Sequence, residues 1–520
     1  MKSNARILTV DIGTEGCKAA VFASNGKTVA SSYVQYDAIY PRPGWAEQNP
    51  NHWWDAVRRN LRRLASKIHS FPLKIDAVGI CGQMHAPVPI NDRGKLVLRK
   101  VPLWCDKRSD QECQQVEQKV GRNRLLQITG NILNPAWTAP KILWLKKHTG
   151  SYGKTWKFLT PKDYVVYRLT NVCATDWSEA SGTSLYEANR ARWSPLLCDA
   201  FGIDEDKLPT IYPSQKVVGE VTRIAASQLP IPYGIPVVAG GGDFLCAVLG
   251  AGVVSEGAGV EITGTAAVIA SYSRKLLADE RILNLHHVID GWVPFGIVDS
   301  GGALLKWLVD NLRPYEESKS TNESSLSYAK LDMEAESIHI GADGLVIDPS
   351  FMGERILGNS QSRGALVGLT LAHSRGHIAR AMMEGVCYAL NRYLEAIETL
   401  GKPVTDLRLG GGGAKSKIWS SIKADVYGKE CLIPRQSELG LLGTMILAGA
   451  GIGVFTDARK AAMELNERPA RIVKPRREAK LLYHKYYETY LQIHNDLQKY
   501  CEKLSELDEF VSGNAPNQRQ

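Results

Sequence analysis

The chain repeats itself, and that repetition restricts its fold more than any other feature. VEITGTAAVI at 260–269 follows the plan of ILTVDIGT at 7–14, and LRLGGGGA at 407–414 follows that of VVAGGGDF at 237–244. Each half therefore opens with a strand, a Gly-Thr turn and a second strand, and later carries a strand running into a glycine cluster and then a helix. Helical and strand patterns alternate in between, which predicts an α/β class. At 520 residues the chain exceeds what one hydrophobic core serves and predicts two domains of roughly 250 residues each. The boundary is placed near Val253.

Local signals fill in the rest. The first strands form an antiparallel meander through an Asn25-Gly26 turn, Trp45–Arg63 has helical spacing behind a Pro50-Asn51 start, and Ile75–Cys81 reads as a buried strand ending at Gly82. Leu439–Thr456 is uncharged and close to membrane-crossing length, but Gly440, Gly443, Gly449, Gly451 and Gly453 make it a buried helix ending in a glycine loop. The polar run EESKSTNESS at 316–325 is expected as a surface loop and Ser512–Gln520 as a frayed tail. Arg476–Lys503 is expected as a helix packed on the second domain, its basic KPRR start a solvated helix end.

Composition excludes several functions. Lys and Arg number 63 against 54 Asp and Glu, but the +9 excess is scattered and no basic block alternates with aromatics, so no nucleic-acid partner is expected. The excess fits a modest attraction for anionic ligands. The ten cysteines form no C-x-x-C pair and most lie in apolar segments, which suits a reducing cytosol. Ile7–Val10 is too short for the apolar region of an export leader, so a cytoplasmic protein without a membrane partner is expected.

Three groups of residues can carry chemistry. In Asp11-Ile12-Gly13-Thr14-Glu15-Gly16-Cys17-Lys18 the glycines allow a tight turn whose N–H groups face an anion; Lys18 adds positive charge, and Asp11 can hold Mg²⁺ directly or through water. An ordinary hairpin turn fits the same residues, although the second turn at Gly264-Thr265 favours a pair gripping one triphosphate. Asp243 follows Gly240–Gly242 where strand gives way to helix, and is either a helix N-cap or a general base that takes a hydroxyl proton. Gly410–Gly413 fails the Walker A pattern at Leu409 and Ala414, and no run completes G-x-G-x-x-G; a surface for adenine and ribose stays open. Finally, Gln83-Met84-His85, with Trp104 and Asp106 some twenty residues on, gathers amide, imidazole, indole and carboxylate groups suited to a polyhydroxylated substrate. A histidine at a strand end also serves as a hydrogen-bonded structural residue.

Jointly and in order, these motifs resemble the FGGY carbohydrate kinases over nearly the whole chain. Gly364-Ala-Leu366-Val-Gly368-Leu369, followed after seven residues by His377–Glu384, satisfies the family's C-terminal signature. Thr138, Lys141 and Trp144 meet its N-terminal Thr-x-x-Lys-x-x-Trp pattern, with a departure at Ala136. PRPGWAEQNPNHWW, LTPKDYVVYRLT and Gly353-Glu354-Arg355 match as well. The resemblance implies two actin/hexokinase-like (ribonuclease H-like) α/β domains flanking a catalytic cleft. Residues 1–253 would hold the sugar, the first phosphate turn and the catalytic Asp, residues 254–500 the nucleotide, and 501–520 a helix end and flexible tail.

It further implies ATP and Mg²⁺, with Asp243 as catalytic base and Asp11 and Asp243 on the magnesium side. Gly13, Thr14, Lys18, Gly264 and Thr265 would contact phosphate, and Gly302, Gly412 and Gly413 would lie near the nucleoside. Gln83, Met84, His85, Trp104, Asp106 and Asp243 would face a small sugar or polyol. Within the family the chain is most similar to members that phosphorylate D-xylulose, but Phe244 stands where those have Asn, so one substrate hydrogen bond is missing or replaced. Ala86 stands where Gly is common, and Glu15 replaces the usual Ser or Thr, so Glu15 must point away from the triphosphate or weaken it. Ribulose, erythritol, glycerol and gluconate are the alternative substrates. A catalytically silent nucleotide or sugar sensor is the different-class alternative, opposed by the presence of Asp11, Asp243 and both Gly-Thr turns. A homodimer is a family-level expectation.

Overall fold

The computed structural model describes residues 5–312, 324–357 and 361–514, which separate into two compact units. The first contains Met1–Ser255, Tyr272–Val293 and Glu438–Arg468; the second contains Glu256–Ser271, Pro294–Ser437 and Pro469–Gln520. Residues 316–323 of the polar run and 515–520 of the tail lie outside the described residues.

In the first unit the sheet runs in the order Val217–Glu220, Pro236–Val238, Ala77–Gly82, Arg6–Ile12, Gly16–Ala23, Thr28–Gln35, and Gly241–Gly242 also pairs with Ala77–Gly82. Arg6–Ile12 pairs antiparallel with Gly16–Ala23 and parallel with Ala77–Gly82, so the expected meander is joined to a parallel strand. Every residue of Ala77–Gly82 is buried, as a strand covered on both faces requires. The helix Pro50–Ile68 starts where its residues dictate: Asn49 caps it by accepting from the Asn51 N–H, and Pro50 opens its first turn. Its apolar stripe, Trp53, Trp54, Val57, Leu61 and Leu64, joins Leu8, Val10 and Val78 in one core.

Leu439–Gly451 is the buried helix anticipated from its glycine content. It lies against Asp243–Gly250 so closely that a Cβ at Gly443 would fall 1.9 Å from the Cys246 carbonyl oxygen; only glycine permits that approach. No helix among the described residues is long and apolar enough to cross a membrane.

The second unit repeats the plan. Ala258–Thr263 pairs antiparallel with Ala267–Ser271 and parallel with Asp406–Gly411, and Glu430–Ile433 and Arg471–Val473 extend the sheet. The long helix Arg375–Leu400 and the C-terminal helix Arg477–Asn514 bury Tyr388, Tyr483, Tyr487 and Tyr490 in a shared core. The basic start of the C-terminal helix is exposed, as expected of a solvated end, and Arg476 also donates from Nη2 to Asp425 Oδ2 at 2.6 Å. The signature residue Glu384 is structural: its buried carboxylate accepts from Arg380 Nε and the Tyr483 hydroxyl, each at 2.8 Å.

Candidate functional site

The turn after the first strand is held by a network that gathers residues read separately from the sequence. The Gly13 N–H donates to the Gly16 carbonyl at 3.0 Å and closes the turn. The Thr14 hydroxyl accepts from the Trp104 indole N–H at 2.9 Å and donates to Gln83 Oε1 at 3.4 Å. Gln48, absent from the sequence-based candidates, is the hub: Nε2 donates to the Thr14 carbonyl at 2.6 Å, and Oε1 accepts from Gln83 and Trp53 at 2.8 and 3.0 Å. Thr14, Gln83 and Trp104 thus share one network that sets the shape of the turn. The Glu15 side chain is exposed, and its carbonyl accepts from the Tyr33 hydroxyl at 3.0 Å.

Asp11 lies in register with Lys18 on one side and Cys81 on the other. Asp243 is the first residue of Asp243–Gly250, whose cap is Gly242, so the N-cap explanation does not hold. Its carboxylate instead accepts from the Phe244 N–H at 2.6 Å. Gly440 packs on both groups: a Cβ there would sit 3.7 Å from Asp11 Oδ2 and 3.7 Å from the Asp243 carbonyl oxygen. Burial raises the Asp243 carboxyl to about 6, against the lowering effect of the Phe244 hydrogen bond. Burial, then Asp243 and Glu438, push Asp11 up to about 7, although Lys18 pulls the other way.

Asp11 Oδ1 is buried with no hydrogen-bond partner among the described residues. A buried, unpartnered carboxylate oxygen beside a second carboxylate suits a divalent cation. No group of three or more His, Cys, Asp or Glu able to hold a metal occurs among the described residues. Two carboxylates with remaining positions left to water and phosphate match the habits of Mg²⁺ rather than a dedicated protein cage.

This electrostatic conflict predicts a stability gain on neutralising Asp11. Its pKa is raised, so its favourable contribution is complete below the unfolded value of about 3.9 and is lost as pH rises through about 7. Without divalent ions, Asp11→Asn is expected to melt about 2–4 °C above the wild type at pH 8, with the gap narrowing at pH 5. Thermal melts at both pH values check this, and equal melting temperatures at pH 8 would refute it.

Met84 is buried against Gly242, and His85 adopts a left-handed backbone at φ 68°. The His85 Nδ1 lies 2.9 Å from the Gly182 carbonyl, an acceptor only, so Nδ1 carries a proton and donates. The buried signature residue Lys141 donates to the His85 carbonyl at 3.3 Å and to that of Ala136, restraining a backbone conformation that a non-glycine residue rarely adopts. Asp106 turns inward: its buried carboxylate accepts from the Ala46 N–H at 2.7 Å and pairs with Arg108 at 2.6 Å. Arg108 in turn lies 3.7 Å over Trp45.

Buried ions that sequence reading missed support the glycine strands. In the first unit Lys162, fully buried and paired with Asp163 and Asp176, donates to the Ala239 carbonyl at 3.2 Å. Asp176 accepts from the Ser178 hydroxyl at 2.6 Å, and Ser178 accepts from the Gly242 N–H at 2.9 Å, immediately before Asp243. In the second unit Lys423 pairs with Glu261 at 2.6 Å and donates to the Thr263 hydroxyl at 2.9 Å, just before Gly264 and Thr265. The Gly302 N–H, at the start of the helix Gly302–Asn311, donates to the Gly264 carbonyl at 2.9 Å, and a Cβ on Gly302 would collide with that oxygen at 2.4 Å. Gly412 and Gly413 follow the neighbouring strand, Gly413 lying against Thr263 and Lys423. The second unit thus brings Gly264, Thr265, Gly302, Gly412 and Gly413 together.

Comparison with known proteins agrees with this organisation. Residues 6–250 match the N-terminal domain of the FGGY family of carbohydrate kinases, and residues 262–452 match its C-terminal domain. Xylulose kinase from Bacillus subtilis (strain 168) is 33% identical over 88% of this chain and 90% of its own. Gluconokinase from the same organism is 30% identical over 85% of this chain and 86% of its own. The ligand-bound crystal structure of xylulose kinase from Lactobacillus acidophilus superposes with a TM-score of 0.86, covering 96% of this chain and 100% of that one at 23% identity; it shows that the fold is shared. A Gly-Thr turn in each unit, the helix-initial Asp243 and both family matches lead to one conclusion: the chain belongs to the FGGY family of carbohydrate kinases and is a sugar kinase with that family's two-domain actin/hexokinase-like fold.

Proposed function

We propose that this enzyme transfers the γ-phosphoryl group of ATP to a hydroxyl of a pentulose, D-xylulose first among the candidates. The observation that carries the reading is Asp243, a helix-initial carboxylate that does not serve as the cap, with its pKa raised to about 6, beside Asp11. Such a group is mostly ionised at neutral pH yet basic enough to take the proton of an attacking hydroxyl. Met84 and His85 face the sugar with Phe244, while Gln83, Trp104 and Asp106 hold the surrounding loops in shape. Gly13, Thr14 and Lys18 act on the phosphates, joined by Gly264 and Thr265; Gly302, Gly412 and Gly413 lie near the nucleoside. Asp11 and Asp243 would hold Mg²⁺, which when bound neutralises charge on the phosphate oxygens. The ten free thiols fit a cytoplasmic enzyme.

A second substrate, gluconate, is supported by the gluconokinase relative, and Phe244, standing where D-xylulose-active members carry Asn, removes one hydrogen bond expected for D-xylulose. ADP release measured across pentuloses, polyols and aldonates separates the two. A dominant response to D-xylulose supports the first reading and one to D-gluconate the second. No sugar-dependent ADP release from folded, ADP-binding protein would overturn both.

A further inference from the structure

Lys18 and Glu438, 420 residues apart in sequence, form an ion pair at 2.7 Å within the first unit. Lys18 lies on the strand that leaves the Gly13-Thr14 turn, and Glu438 immediately precedes the helix whose Gly440 packs on Asp11 and Asp243. Glu438 makes no side-chain capping bond to that helix, so the pair has no evident duty in the helix itself. The two side chains are 45% and 41% exposed, and a pair so open to water gains little and exchanges readily. Burial pulls the Lys18 ammonium down, but Glu438 and Asp11 outweigh it and hold it above the ordinary lysine value. Asp11 thus has Asp243, Glu438 and Lys18 as charged neighbours, and Lys18 is already engaged by Glu438.

We infer that Glu438 is a positioning residue for nucleotide entry: it holds Lys18 beside the phosphate turn and yields it to a phosphate oxygen when a nucleotide binds. The inference rests on the phosphoryl-transfer reading above. It makes entry a charge exchange at Lys18, in which one anionic partner replaces another without the ammonium ever losing a counter-ion. Two effects then follow from removing the Glu438 charge. Lys18 is released for phosphate, and one repulsive charge near Asp11 disappears. Only the first depends on Lys18, so a double-mutant cycle separates them.

The experiment is calorimetric titration of the full-length protein with tripolyphosphate and with ADP, both in EDTA. Glu438→Gln is expected to tighten binding by about 2- to 5-fold, the range an exposed ion pair can supply. In a Lys18→Met background the same substitution is expected to change affinity by less than about 1.5-fold, while Glu438→Asp, which keeps the charge, retains wild-type affinity to within about twofold. An equal gain in both backgrounds would reduce Glu438 to a source of repulsion and overturn the inference. Weaker binding by Glu438→Gln would overturn it in favour of a scaffold role. Both results leave the kinase reading intact, whereas a wild type that binds ADP neither with nor without Mg²⁺ would remove that reading and the inference together.

Discussion

Asp243→Ala is expected to lower turnover by about 10²- to 10⁴-fold, the usual weight of a positioned general base. The side chain has no structural task that would confuse the result. It does not cap its helix, and its one hydrogen bond among the described residues is to the adjacent Phe244 N–H. Removing a carboxylate held above its ordinary pKa by burial relieves the folded protein of an unfavourable charge at neutral pH, so the variant should fold and melt at least as well as the wild type. Nucleotide binding through the turns should survive. Steady-state ADP release beside a thermal melt reads both quantities. Turnover within threefold of wild type in a folded variant would take the base role away from Asp243. In the wild type the same group gives the pH profile an acid limb: turnover falls as pH drops through about 6, where the carboxylate gains its proton, and a bound divalent cation moves that limb lower.

The second large effect is expected on stability. Lys423 and Glu261 are both fully buried and 2.6 Å apart. Lys423→Met leaves Glu261 desolvated without its counter-ion, a loss of about 3–5 kcal/mol for a broken buried pair. Replacing both partners, as Lys423→Met with Glu261→Leu, removes the stranded charge and should recover most of that loss. Urea unfolding of the two variants makes the comparison, and equal destabilisation of single and double variants would show that packing rather than charge dominates. The consequence reaches function, because Lys423 also donates to the Thr263 hydroxyl at the root of the Gly264-Thr265 turn. The double variant should therefore regain stability while still binding nucleotide less tightly than the wild type.

Neither role of Lys423 was legible in the sequence. It lies on the buried face of its helix beside Trp419 and Ile422, and a lysine at an apolar position was the single available signal. Its partners come from a strand 160 residues away. Lys162 was in plain view within LTPKDYVVYRLT, yet its hold on the Ala239 carbonyl depends on a contact 77 residues along the chain. Asp106 illustrates the opposite difficulty. Its loop composition suggested a sugar contact, but Arg108 and the Ala46 N–H take up both carboxylate oxygens.

The duplicated strand-turn-strand plan, the Pro50-Asn51 start of a helix, the glycine-rich buried helix and the family itself were all determined by sequence alone. Turn chemistry, capping and hydrophobic periodicity act over a few residues, and the motif set is specific because it occurs jointly and in order. Tertiary structure decided the charge states and partnerships: Asp11 and Asp243 raised together, Lys18 given to Glu438, Asp106 turned inward, Lys423 sealed under the second turn. Ionisation depends on desolvation and on the nearest charges, and in this chain both are set by segments that meet only when it folds.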